Sequence, residues 1–183
     1  MARVPYLEKK DLAAADQDVL SRDITLYKAM AHSPKAARAF QGMGRFIRFE
    51  SKLDPRLREL AILQVGYLAR APYEFSHHIK IGRDFGVADE DIRGMIGESE
   101  GKTTTLEPLA KAVCRAAREM TEHLAIKDAT FAELERALSK ETLTDLIITI
   151  AFYNAVVRYL GAMQIDVEPE YQKYLDAFPL PKP

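Results

Sequence analysis

The chain has no tryptophan and a single cysteine, Cys114. One thiol excludes an intrachain disulfide framework and a Cys-x-x-Cys redox pair, and it agrees with a reducing compartment. Four histidines form no tract, no His-Glu-x-x-His occurs, and His32 and His123 stand at no recognisable ligand spacing. Neither sign of charge is in excess: 26 Lys and Arg against 27 Asp and Glu leave a formal net charge of -1. With no basic stripe or arginine-rich tail, nucleic acid is not an expected partner. The first twenty residues lack a continuous apolar run, so no signal peptide is expected. The most apolar segment, 146–157, lies between Asp145 and Arg158 and reads as a buried helix too short to span a bilayer. No period-2 pattern long enough for a sheet appears. Together these absences predict a cytoplasmic all-α protein with no membrane contact. At 183 residues, 48% of them hydrophobic, it can bury a sizeable core as one domain.

What is present is helical periodicity, punctuated by proline and glycine. A first helix is expected over 17–31. A second opens at Pro34 after Ser33, a cap followed by proline. Gly42 and Gly44 weaken that helix and read as places of close packing. Asp54-Pro55 opens a third helix whose apolar set is dense enough to make it central. Pro72 separates it from the next, over 73–85, and Gly86 is placed to end that one as a left-handed cap with Val87 beyond it. A short helix follows over 89–96. The stretch 97–105, GESEGKTTT, is a linker: its Gly97 stands one position too close to Gly101-Lys102 for a phosphate loop, and no strand precedes it. Further helices are expected over 106–123, 128–138 and 140–163, with a capping-box spacing at Thr130 and Glu133. The proline-rich tail 166–183 carries Tyr171, Tyr174, Leu175 and Phe178 and is expected to pack on the surface or on a partner chain. The chain therefore divides into a core motif (53–96), a second half (106–165) and the tail. Residues 53–63 are echoed at 138–148 with a slip of one position, after which Leu57, Glu59 and Leu60 recur as Leu143, Asp145 and Leu146, so an internal duplication is one reading. The position matching His78 is then Gln164, which leaves the chemistry in the first copy.

The chemistry-bearing residues cluster in 53–92. Glu74 and His78 are four apart and share a helix face. An acid beside an imidazole can move protons near neutral pH, because histidine titrates there. The bland reading is a surface Glu–His pair supporting the helix. His77 adds a second imidazole, and Tyr73 and Phe75 are placed to wall a pocket. Adjacent histidines point about 100° apart on a helix, so His77 and His78 would not normally share one metal ion. A metal-dependent enzyme using them remains a third-ranked alternative. Glu59, on the apolar helix, reads either as an ion pair with Arg56 or Arg58 or as a buried acid with a raised pKa. Tyr67, Tyr153 and Asn154 read first as hydrogen-bonded core residues, and Cys114 as a small buried hydrophobe.

The blocks LDPRLRELAILQVGYL, YEFSHH and GV-DEDI, with IAFYNAVVRYLGAM near the end, resemble the carboxymuconolactone decarboxylase family and its AhpD-like relatives, in a longer single-chain form. The resemblance implies a compact AhpD-like helical bundle that assembles as a homo-oligomer (dimer, trimer or hexamer). Alkylhydroperoxidase-type members use a glutamate, a Cys-x-x-Cys pair and a histidine. Here the glutamate corresponds to Glu59 and the histidine to His78, whereas the cysteine positions fall on Ala71 and Glu74. Without thiols there is no peroxidatic cycle. The decarboxylase-type members imply instead a cofactor-free lyase or isomerase acting on a small carboxylated lactone from aromatic-acid breakdown. His78, Glu74 and Glu59 would then be catalytic. His77, Tyr73, Tyr67 and Asn154 would contact substrate, and Arg70 or Arg83 would supply charge for its carboxylate. The competing reading is a non-catalytic small-molecule binding or structural protein that keeps the fold.

Overall fold

In the computed structural model, which describes residues 2–182, the chain is 72% helical with no strand among the described residues. The helices are α1 (Thr25–Met30), α2 (Pro34–Arg45), α3 (Pro55–Leu68), α4 (Pro72–Asp84), α5 (Asp89–Ser99), α6 (Pro108–His123), α7 (Asp128–Ala137), α8 (Lys140–Met163) and α9 (Gln172–Ala177). Prolines open α2, α3, α4 and α6, where a missing N–H leaves nothing unsatisfied. Asp54 caps α3, its side chain accepting from the Leu57 N–H at 3.0 Å. Ser139 caps α8 in the same way through Thr142.

α3 is the central element. Every side chain from Leu57 through Tyr67 is buried, and the helix packs on α4, α6 and α8. Glycine brings α4 close to it: a Cβ on Gly66 would stand 3.2 Å from the backbone nitrogen of Phe75. α4 ends in a Schellman turn, with Gly86 at φ +90 and the Val87 N–H donating to the Gly82 carbonyl at 2.8 Å. Arg56 ties the start of α3 outward, pairing with Asp91 at the head of α5 and with Glu107 before α6.

Several expectations need correction. The first helix is broken: 3-10 turns over Ala14–Leu20 precede a gap, and only Thr25–Met30 is α-helical. α2 does not stop at a cap but runs into a π-helical turn, Phe46–Glu50. Gly42 and Gly44 are not close-packed, because a Cβ on either would meet nothing within 4 Å. Thr130 lies inside α7 and is buried, donating to Glu119 at 3.0 Å rather than capping. α8, at 24 residues, is long enough by length and composition to cross a bilayer, longer than its apolar centre suggested. Its inner face, including Leu146, Ile150 and Tyr153, is buried in the bundle. The tail packs as expected of its aromatics, on the chain's own surface: α9 lies on α4, and Phe178 is buried.

Candidate active site

Two turns of α3 and two of α4 place four ionisable groups in contact. α3 supplies Arg58 and Glu59, both 1% exposed; α4 supplies Glu74 and His78, at 3% and 4%. The i, i+4 spacing brings Glu74 Oε1 to 2.9 Å from His78 Nε2. The other ring nitrogen, Nδ1, donates to Glu59 Oε2 at 2.6 Å. Arg58 Nε donates to the second Glu59 oxygen at 3.0 Å, with its guanidinium 4.5 Å above the Phe85 ring. Two carboxylates thus face one guanidinium and one imidazole, an arrangement in which buried charges compensate one another.

Burial alone would drive the His78 proton off. Glu59 and Glu74 outweigh it and hold the pKa up to about 9. Burial pushes the Glu59 carboxyl up, but His78 and Arg58 pull it below its ordinary value. At neutral pH His78 is therefore an imidazolium donating from both nitrogens, clamped between two carboxylates. Such a group is a stored proton, and Glu74 is its outlet.

That outlet opens on a cavity of about 460 Å³ lined by Tyr73, Glu74, His77, His78 and Tyr153 and by residues of α2 and the π turn. Glu59 does not line it and stands behind the imidazole. Its role is to orient His78 and keep it charged. The Tyr153 ring meets His78 edge-on, with centroids 5.0 Å apart. His77 turns elsewhere. Its ring is stacked between Tyr73 and Tyr171 at 4.1 and 3.6 Å, and Nε2 donates to Glu168 at 2.8 Å. Glu168 also accepts from the Thr25 N–H at 2.8 Å. Against the upward push of burial, the bonds from His77 and Thr25 hold its carboxyl down at about 2.

The structure therefore unites His78, Glu74, Glu59, His77 and Tyr73, and separates four other predicted residues from them. Tyr67 packs on Phe75 and borders a different hollow under the tail. Arg70 is exposed in the turn after α3 with φ 49. Arg83 is occupied by Asp89 at 2.7 Å. Asn154 donates to Thr121 and to the Ile150 carbonyl. The two adjacent histidines do not converge, and no group of three or more His, Cys, Asp or Glu suited to a metal ion occurs among the described residues. Sequence reasoning missed the cationic wall of the cavity, formed by Arg22, Arg38, Arg45 and Arg48. Nothing in the local pattern marks arginines on a polar helix face as pointing inward. Tyr153 carried a weak signal, a hydroxyl inside a run of apolar residues. Cys114 lies in α6 and does not line the cavity; burial pushes its thiol up to about 12.

This architecture is that of the AhpD-like helical proteins. It is similar to the alkylhydroperoxidase AhpD core, an uncharacterized peroxidase-related protein from Ralstonia eutropha JMP134, with a TM-score of 0.78, 18% identity and 98% of each chain covered. A variant of the debrominase Bmp8, in complex with 2,3,4-tribromopyrrole, gives 0.78 at 19% identity over 96% of this chain and 98% of that one. An uncharacterized peroxidase-related protein from Silicibacter sp. TM1040 gives 0.67 at 21% identity over 86% and 83%. No curated protein matches the sequence. Residues 34–119, which span α2 to α6 and hold Arg58, Glu59, Glu74 and His78, match the carboxymuconolactone decarboxylase family. That match and the shared fold make the chain similar to the carboxymuconolactone decarboxylase/AhpD-like proteins.

Proposed function

We propose that the chain is a cofactor-independent lyase or isomerase that moves a proton on a small carboxylated lactone or a related product of aromatic-acid breakdown. The observation that carries this reading is an imidazolium held between Glu59 and Glu74 on the wall of a cavity of about 460 Å³. In a decarboxylation, the electrons of the bond to the departing carboxylate pass into the conjugated lactone carbonyl, and carbon dioxide leaves. The resulting dienolate takes a proton at carbon from the His78–Glu74 pair, which recovers one from water. Glu59 and Arg58 are positioning residues in this scheme, because they do not reach the cavity. A thiol route lacks its nucleophile, since Ala71 and Glu74 stand where the cysteine pair would be and Cys114 is remote.

The test is turnover of carboxymuconolactone and related ring-cleavage lactones by the purified protein, followed by loss of ultraviolet absorbance. His78→Gln and Glu74→Gln should each lower kcat by about a hundredfold or more, the range general acid–base groups contribute. Equal turnover in the wild type and both variants would remove the assignment. A non-catalytic binding protein is the second reading. It draws on the same clamp, since both His78 nitrogens are already bonded and neither is free for substrate. It predicts ligand binding with no turnover. Self-association belongs to the proposal as well: Phe49, 71% exposed on the cavity lining, would be covered in a homo-oligomer. Sedimentation of the wild type and Phe49→Ser checks that point.

A further inference from the structure

Tyr153 has a hydroxyl with nothing to do inside the protein. The residue is only 7% exposed, it lines the cavity, and its oxygen makes no hydrogen bond among the described residues. Phenylalanine would pack equally well against His78 and against Phe152, whose ring centroid is 5.6 Å away. The hydroxyl oxygen is not sealed off from the cavity, so beside a stored proton it is free to meet a ligand atom. Burial keeps that hydroxyl protonated, its pKa well above the ordinary phenol range. It can therefore donate to an anion or a carbonyl.

Arg48, part-buried on the lining of the same cavity, is a cation without an acidic partner among the described residues. It sits in the π turn, a distortion often found at functional sites. The turn is pinned from two sides: Arg58 Nη1 donates to the Arg48 carbonyl at 3.2 Å, and buried Asp145 of α8 accepts from Ser51 at 2.7 Å. Of the other wall arginines, Arg38 pairs with Asp16 and Asp18 and Arg45 with Glu50, while Arg22 lies 5.9 Å from the Tyr27 ring. The Arg48 guanidinium has no acidic partner among the described residues and lies 5.9 Å from the Phe49 ring. Its charge is near enough to bear on the Tyr153 hydroxyl.

We infer that Tyr153 and Arg48 anchor the substrate in the cavity onto which the His78–Glu74 pair opens, Tyr153 donating to a carbonyl or enolate oxygen and Arg48 pairing with a carboxylate. This rests on the reading of the cavity as a site for small lactone acids, and it names the residues that select them. The ligand is a small organic anion bearing both a carboxylate and an enolisable carbonyl. A neutral hydrogen-bond donor facing an oxygen that gains charge during reaction favours the transition state over the ground state.

The test uses the intact protein and needs no turnover: NMR titration with a saturated γ-butyrolactone carboxylate and with uncharged γ-butyrolactone. Arg48→Gln should weaken the carboxylate at least about tenfold and leave the neutral lactone unchanged. Tyr153→Phe should weaken both by about three- to tenfold. Arg136→Gln, a surface change on α7, should alter neither. Should Arg48→Gln fail to fold, Arg48→Lys, which keeps the charge but loses the planar fork, should still weaken the carboxylate selectively. Wild-type affinity in both variants, or no carboxylate binding by the wild type, overturns the inference. If the binding pattern holds while no lactone is converted, the lyase reading fails and the anchor stands. If lactones are converted with unchanged KM and kcat in both variants, the anchor fails alone.

Discussion

His78 is held by opposing effects, and its neighbours decide its chemistry. Isolated in an apolar interior it would be neutral, and with only one carboxylate it would be a poorer proton store. Glu59 and Glu74 together hold its pKa at about 9. Activity that depends on the imidazolium should therefore persist through neutral pH and fall as pH rises through about 9, which a kcat/KM profile reads directly. Glu59→Gln removes the partner on Nδ1 and leaves Arg58 without its acid. The expected cost is about 3–5 kcal/mol of stability, measured by urea unfolding, together with a lower His78 pKa seen by NMR. Loss of activity at unchanged stability would instead place Glu59 in contact with substrate. The acid–imidazole pairing was legible from the spacing of Glu74 and His78, and Glu59 stood out as an acid on an apolar helix. The geometric reason for Glu59 was not legible, because it lies nineteen residues before His78 and meets it only through the packing of α3 on α4.

Among the elements, the tail is the one whose role was least evident. Its aromatics suggested packing on the surface or on a partner chain without saying where; Glu168 reaches Thr25 and His77, and Tyr171 covers the His77 ring. The tail thereby closes the outer side of α4 behind the cavity. Glu168→Ala should release it, with increased proteolysis around α9 and a loss of about 1–3 kcal/mol. An unchanged cleavage pattern would show that Phe178 alone holds the tail. The beginnings of α2, α3, α4 and α6 could be read closely because proline imposes them locally. The broken first helix and the π turn could not. Both depend on what α2 and the 51–52 turn meet in space, including Asp145 from the far end of the chain.

At the scale of the whole molecule, charge burial ties stability to pH. The folded pKa of His78 is raised above its ordinary 6.5, so its stabilising contribution is complete below about 6.5 and is lost as pH rises through about 9. Glu168 works in the other direction. Its folded pKa is lowered to about 2, so its contribution is complete above 4.5 and is lost as pH falls through about 2. Stability should therefore peak between these limits, and the alkaline decline should be shallower in His78→Gln than in the wild type. Thermal melts across pH compare the two slopes, and equal slopes would place the alkaline loss elsewhere. Cys114, buried with its thiol pushed up to about 12, should resist maleimide in the native state and react after unfolding. Peroxide consumption abolished by Cys114→Ser would contradict the separation of this chain from thiol chemistry.

By itself the sequence determined the helical class, most helix starts, the absence of a thiol pair and the presence of an acid–histidine couple. Each of these follows from local periodicity, capping or residue identity. Tertiary structure alone decided which carboxylate completes the couple, which arginines face the cavity and that Tyr153 keeps a free hydroxyl. Those facts depend on distance between segments remote in the chain, and helical periodicity records which face is apolar without naming the residue that will lie opposite.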